Sequence, residues 1–132
     1  MAFTILIVDD STTMRSVIRR TIQMADMSVG KYLEASGGQE ALDIMQNQQV
    51  NLVLADINMP GMNGIEMIEK MHADQNICGI PVVIISTEAS TTRIKQLQEK
   101  GVVGYAHKPF TPETIRDVIY DVIGACHDQN NK

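Results

Sequence analysis

Residues 3–14 read FTILIVDDSTTM, an apolar, β-branched run that ends on two adjacent carboxylates, Asp9 and Asp10. Like charges side by side repel, and desolvating them at the mouth of a hydrophobic strand is costly. Taken alone, the pair reads more plainly as a solvated feature at the start of a helix. Two further stretches, LVLADINMPGMNG at 52–64 and GYAHKPF at 104–110, decide between the readings.

Five short runs rich in apolar or β-branched residues fall at 3–8, 31–35, 50–55, 81–85 and 102–106. The first, third and fourth are nearly continuous in hydrophobic residues, the pattern of parallel strands covered on both faces. The second carries Lys31 and Glu34 and the fifth carries Gly104, which suits edge strands. Between the runs the period turns helical. Met14, Val17, Ile18 and Ile22 form one stripe, and Ile115, Val118, Ile119, Val122 and Ile123 form another. The last helix opens with Thr111 as N-cap, Pro112 at the first helical position and Glu113 in the first turn. Shorter helices fit 38–46, 64–72 and 90–100, the last stopped by Gly101. Strand–helix alternation repeated five times predicts a (βα)5 doubly wound parallel sheet in three α/β/α layers.

Such sheets bind ligands outside the carboxyl ends of their strands. Asp9 and Asp10 follow the first strand, Asp56 ends the third, Ser86 and Thr87 follow the fourth, and Lys108 lies just past the fifth. Three carboxylates and one ammonium then converge on one cleft with a deficit of two positive charges. A hard divalent cation that accepts oxygen ligands and keeps several waters, magnesium above all, cancels it. Zinc fits poorly, because His107 is the one His or Cys near these segments. A carboxylate beside such a cation and a lysine can attack phosphorus in line and become an acyl phosphate. Composition does not say which Asp attacks. Asp56 follows a buried run and precedes a turn punctuated by Pro60, Gly61 and Gly64, so a firmly placed side chain is expected there.

The pieces LIVDDSTTMR, LVLADINMPGMNGIEMI, PVVIISTEAS and GYAHKPFTPETI, with the spacing between them, resemble the receiver domain of two-component response regulators over nearly the whole chain. Among these the similarity is greatest to stand-alone chemotaxis regulators. The resemblance implies a flavodoxin-like strand order 2-1-3-4-5 and a phosphorylation-activated signalling switch, chiefly a signalling protein although it catalyses its own phosphorylation and dephosphorylation. Asp56 would be the phosphoacceptor. Mg2+, with Mn2+ as a substitute, would be held by Asp10, Asp56 and the backbone carbonyl of Asn58, with Asp9 acting through water. Lys108 would touch the phosphoryl group, aimed by a cis peptide at Pro109. Ser86 would bond a phosphoryl oxygen and draw Tyr105 inward, remodelling the face made by the helix over 90–100, the fifth strand and the last helix. Asn58, Glu88 and Thr87 would tune hydrolysis.

The implied partners are a sensor histidine kinase of chemotaxis type and an effector protein on that face, with the flagellar motor switch as the output and a phosphatase as a further partner. Two departures bear on this. Thr87 is bulkier than the small residue usual in its slot, and where motor-binding relatives carry lysines early in this helix the stretch at 90–95 reads STTRIK. Without the resemblance, Tyr105 would be packing surface with its hydroxyl in water, and Glu34 an ordinary surface residue.

Composition bounds the alternatives. A chain of 132 residues is one domain's worth, so a single domain over 1–132 is expected, with a tail fraying from about residue 127 and no segment for an appended output domain. A formal charge of -5 with no basic run longer than Arg19–Arg20 argues against nucleic acid or an anionic membrane. The N-terminal apolar run is too short for a signal peptide or a span, and Cys78 and Cys126 lack framework spacing, so a cytoplasmic monomer with free thiols is expected. The nine methionines read as adaptable core filler, and His72, His107 and His127 share no pattern. Competing readings are a phosphorelay intermediate that hands its phosphate to a histidine phosphotransfer protein, a magnesium phosphatase, for which a substrate cap has no room, and a binding module that is never phosphorylated.

Overall fold

The computed structural model describes residues 3–25, 29–57, 61–62, 64–86, 95–96, 99, 102–108 and 110–130, with side chains through Val122. Strands β1 (Thr4–Val8), β2 (Lys31–Ala35), β3 (Leu52–Ala55), β4 (Val82–Ser86) and β5 (Gly104–His107) alternate with helices α1 (Thr12–Met24), α2 (Gly38–Asn47), α3 (Gly64–His72) and a C-terminal helix (Pro112–Asn130). Of the predicted helix over 90–100, Lys95, Gln96 and Glu99 are described and are helical. The sheet is five-stranded and parallel, the doubly wound arrangement the strand–helix alternation predicts, in the flavodoxin-like order β2-β1-β3-β4-β5 that the resemblance implies.

Side-chain alternation along buried strands divides the core into two layers. Leu6, Val8, Val53, Ala55, Val82 and Ile84 face α2 and α3, where Leu42, Met45, Met67, Ile68 and Met71 cover them. Ile5, Ile7, Leu52, Leu54, Val83 and Ile85 face α1 and the C-terminal helix, covered by Ile18, Ile22, Ile115, Ile119 and Val122. Burying each such Ile or Leu contributes roughly 1.5–3 kcal/mol. The central strands are buried at every residue, whereas β2 and β5 are partly exposed, as Lys31, Glu34 and Gly104 predict for edges.

One helical stripe is narrower than its sequence suggests. Ile18 and Ile22 are buried on α1 and Met14 packs against them, but Val17 is 46% exposed. At 3.6 residues per turn Val17 stands about 100° around the helix from Ile18, on the flank of the 14/18/22 line. Caps fix both helix starts. Ser11 Oγ accepts from Met14 N at 3.1 Å, so the helix that follows the acidic pair is capped by Ser11 and not by a carboxylate. Thr111 Oγ1 accepts from Thr114 N at 3.1 Å, the predicted cap of the last helix.

Candidate functional site

Strand register brings the predicted site residues to one edge. Val8 pairs with both Ala35 and Ala55, Ala55 with Ile84, and Ser86 with His107. Ladder-like bonds continue past the strand ends: Asp9 N donates to Ala35 O at 3.1 Å, Asp56 N to Val8 O at 3.1 Å and Lys108 N to Ser86 O at 2.8 Å. Asp9, Asp56 and Lys108 are thus each the first residue beyond a strand, with the backbone fixed by the neighbouring strand. This is why segments remote in sequence meet here.

The side chains then close on one another. Lys108 Nζ lies 3.0 Å from Asp56 Oδ2 and 3.5 Å from Asp9 Oδ2, with little exposure at all three. Asp9 also accepts from Ser11 N at 2.9 Å through Oδ1. Burial pushes the Asp9 carboxyl above its ordinary value, and the charge on Asp56 adds to that; the Ser11 N–H and the Lys108 ammonium oppose it. Among the described residues two carboxylates share the Lys108 ammonium in a partly desolvated pocket, two negative charges against one positive.

The other predicted residues divide into those brought to this edge and those outside the description. Asp10 is exposed beside Asp9. Ser86 is fully buried at the end of β4. Tyr105 packs on the α2/α3 side of the sheet with its hydroxyl oxygen shielded from solvent, so the reading of a water-exposed hydroxyl does not hold. His107 is exposed on β5, in register with Ser86. Asn58, Met59, Thr87, Glu88 and Pro109 lie outside the described residues.

Two contributors, Arg15 and Glu34, are not legible in the sequence motifs. Glu34 is not an ordinary surface residue: it accepts from Arg15 Nε at 3.0 Å and from Arg19 Nη1 at 2.7 Å. Arg15 also donates from Nη1 to the Asp9 carbonyl at 2.6 Å. Its i, i+4 spacing to Arg19, opposite a lone acid on an edge strand, is the signal that could have exposed the pair.

A doubly wound parallel sheet with two carboxylates and a lysine gathered beyond β1, β3 and β5 defines the response-regulator class of site. Residues 5–120 match the response regulator receiver domain family. The chain is 36% identical over 121 residues to a chemotaxis protein CheY homolog of Campylobacter jejuni, covering 91% of this chain and 92% of that protein. It is 35% identical over 121 residues to chemotaxis protein CheY1 of Helicobacter pylori, covering 91% of this chain and 96% of the other. The solved structure of Vibrio cholerae chemotaxis response regulator CheY4 superposes with a TM-score of 0.82 at 29% identity, covering 92% of this chain and 99% of that one. The chain belongs to the response-regulator receiver family, as a CheY-like member closely related to chemotaxis CheY proteins of several species. That homology supports a phosphorylation-activated signalling switch in chemotaxis.

Family membership implies magnesium-dependent phosphorylation. Among the described residues no three His, Cys, Asp or Glu side chains are grouped as a metal site by themselves. The donor chemistry nevertheless fits a hard cation: the described candidates are carboxylate oxygens, and their charge exceeds what Lys108 balances. Among the described residues no helix is long and apolar enough to cross a membrane.

Proposed function

We propose that Asp56 accepts a phosphoryl group from a phosphohistidine of a chemotaxis-type sensor kinase, and that the resulting acyl phosphate shifts the surface of β5 and its flanking helices to bind an effector protein. The observation that carries this reading is the approach of Lys108 Nζ to both Asp56, at 3.0 Å, and Asp9, at 3.5 Å. In the transfer, Asp56 Oδ forms a bond to phosphorus as the histidine N–P bond breaks. Lys108 stands where charge develops on the phosphoryl oxygens.

Asp10, Asp56 and the carbonyl of Asn58 would hold Mg2+ directly, or Mn2+ in its place, with Asp9 acting through water. The bound cation would screen the carboxylates from one another and from the incoming phosphoryl charge. Asp9 suits an indirect part, since Ser11 N and Lys108 already engage one of its oxygens each. Asn58, Thr87 and Glu88 would set how readily water reaches the acyl phosphate, and a cis peptide before Pro109 would aim Lys108.

Ser86 would take a phosphoryl oxygen and couple it to Tyr105. Because the Tyr105 hydroxyl is already shielded, phosphorylation would deepen an arrangement the unmodified chain can adopt. The flagellar motor switch is the output we favour, in a soluble, monomeric, cytoplasmic regulator built as a single domain over 1–132, with a phosphatase as a further partner. The test adds beryllofluoride and Mg2+ to the isotope-labelled chain and follows its amide signals. Shifts at Ser86, Tyr105 and Lys108, with tighter binding of a motor-switch peptide, support the reading. Shifts confined to the loop around Asp56, with peptide affinity unchanged, contradict it. An aspartyl phosphate stable for many hours would favour the phosphorelay instead.

A further inference from the structure

Every polar atom of Asp9 is held from a different part of the chain. Its N–H donates to Ala35 O of β2, its Oδ1 accepts from Ser11 N at the cap of α1, and its Oδ2 faces Lys108. Its carbonyl accepts from Arg15 Nη1 at 2.6 Å. That carbonyl belongs to the planar peptide that also carries the N and Cα of Asp10, so whatever grips it sets the direction in which Asp10 leaves the strand. Arg15 is gripped in turn: Glu34 Oε1 accepts from Nε at 3.0 Å and Thr12 Oγ1 from Nη2 at 3.2 Å. Glu34 is steadied by Arg19 at 2.7 Å. The Arg15 side chain is 13% exposed, so its charge-assisted bonds to the Asp9 carbonyl and to Glu34 are partly shielded from water.

We infer that Arg15 and Glu34 are positioning residues for the acidic pair: Arg15 fixes the Asp9–Asp10 peptide, and Glu34 holds the guanidinium on that carbonyl and away from the carboxylate oxygens. The inference rests on the reading that this pair serves a divalent cation. An arginine beside an acidic pair would otherwise compete with that cation for the same oxygens. Glu34 supplies it with another partner from the edge strand, where Glu34 stands in register with Ile7, two residues before Asp9. Two functions follow from one fork: the peptide is held still, and the positive charge is balanced elsewhere.

The experiment compares the wild-type chain with Arg15→Ala, Glu34→Gln, the double variant and Arg15→Lys, titrating Mg2+ by calorimetry and amide shifts and recording metal-free melting. Removing a partner that orients metal ligands costs about 10-fold or more in metal affinity. Each single variant is expected to weaken Mg2+ by that order. The double variant should be no weaker than Arg15→Ala, because Glu34 acts through Arg15. Arg15→Lys should not rescue, since one ammonium cannot span both the carbonyl and Glu34. Glu34→Gln is nearly isosteric, so unchanged core amide signals in that variant separate positioning from misfolding. Melting temperatures that fall while Mg2+ affinity stays within two-fold of wild type would overturn the positioning role and leave the proposed function intact. A wild-type chain that takes no phosphate on Asp56 and no Mg2+ would remove the function and this inference together.

Discussion

Gly64 lies directly against the carbonyl of Asp56: a Cβ at position 64 would stand 2.7 Å from that oxygen and 3.1 Å from Ile57 Cα. Both obstacles are backbone, so neither can rotate aside. Gly64 N also donates to Ile57 O at 3.0 Å, which docks the first turn of α3 on the residues that follow β3. The glycine is required by close approach, and the residue approached is the one we assign as phosphoacceptor.

Gly64→Ala should therefore lower stability although alanine is the better helix former. Forcing a methyl group into a packed backbone contact costs typically about 1–3 kcal/mol. The phosphorylation rate should fall as well, because relief of the clash moves Asp56. Urea denaturation with a phosphorylation time course reads both. Unchanged stability and unchanged rate would show that the contact is looser than drawn.

Opposite charge deletions at the centre should have opposite effects on the metal-free chain. Among the described residues Asp56→Asn leaves Lys108 facing Asp9, one charge against one, and should raise the melting temperature. Lys108→Ala leaves two carboxylates facing each other in a partly buried pocket and should lower stability by several kcal/mol, about 3–5 for a fully buried pair. Differential scanning calorimetry in chelator decides the signs. Equal shifts in the same direction would contradict the repulsion between Asp9 and Asp56.

Acid behaviour follows from the raised pKa of Asp9, caused first by burial. The folded chain holds this proton more tightly than the unfolded chain, so the contribution is complete below the ordinary value of 3.8 and is lost as pH rises through the raised folded value. Metal-free stability should carry this downward component on moving from strong acid toward neutrality, and Asp9→Asn should remove it. Glu40, which accepts from Ser36 N at 2.5 Å and is shifted down by that bond, acts in the opposite sense, its contribution being lost on acidification. Comparing the pH profiles of Asp9→Asn and wild type isolates the Asp9 component. Identical slopes would refute it.

Val17 and Ile18 are neighbours in sequence with opposite fates. Val17→Lys, at a 46% exposed site, should change stability by no more than about 0.5 kcal/mol. Ile18→Ala, at a site 2% exposed, should cost about 2–5 kcal/mol. Thermal or urea unfolding of the two variants measures the width of the α1 stripe. A large loss from Val17→Lys would place that residue in the core.

The strands were legible because a doubly covered parallel sheet writes itself as near-continuous apolar runs, with charged residues admitted only at the edge strand β2, whereas their order came from the family resemblance of the motifs. Asp9, Asp56 and Lys108 could be placed at one edge for the same reason, since each follows a strand end. Val17 misled because hydrophobicity alone does not reveal how wide a helix's buried stripe is. Arg15 and Glu34 were hidden differently. Their contact joins α1 to an edge strand through side chains 19 residues apart, and no local period reports a hydrogen bond to a main-chain carbonyl. The Gly64 approach to Asp56 O depends on backbone distances that a turn-rich string such as NMPGMNG does not encode.

Mapping the phosphate chemically tests the central claim most directly. The chain is incubated with acetyl phosphate and Mg2+, the acyl phosphate is trapped by borohydride reduction, and the modified peptide is sequenced by mass spectrometry. Modification is expected at residue 56 in the wild-type chain and none in Asp56→Asn. Modification at Asp9 or Asp10, or the same yield in chelator as in Mg2+, would contradict it.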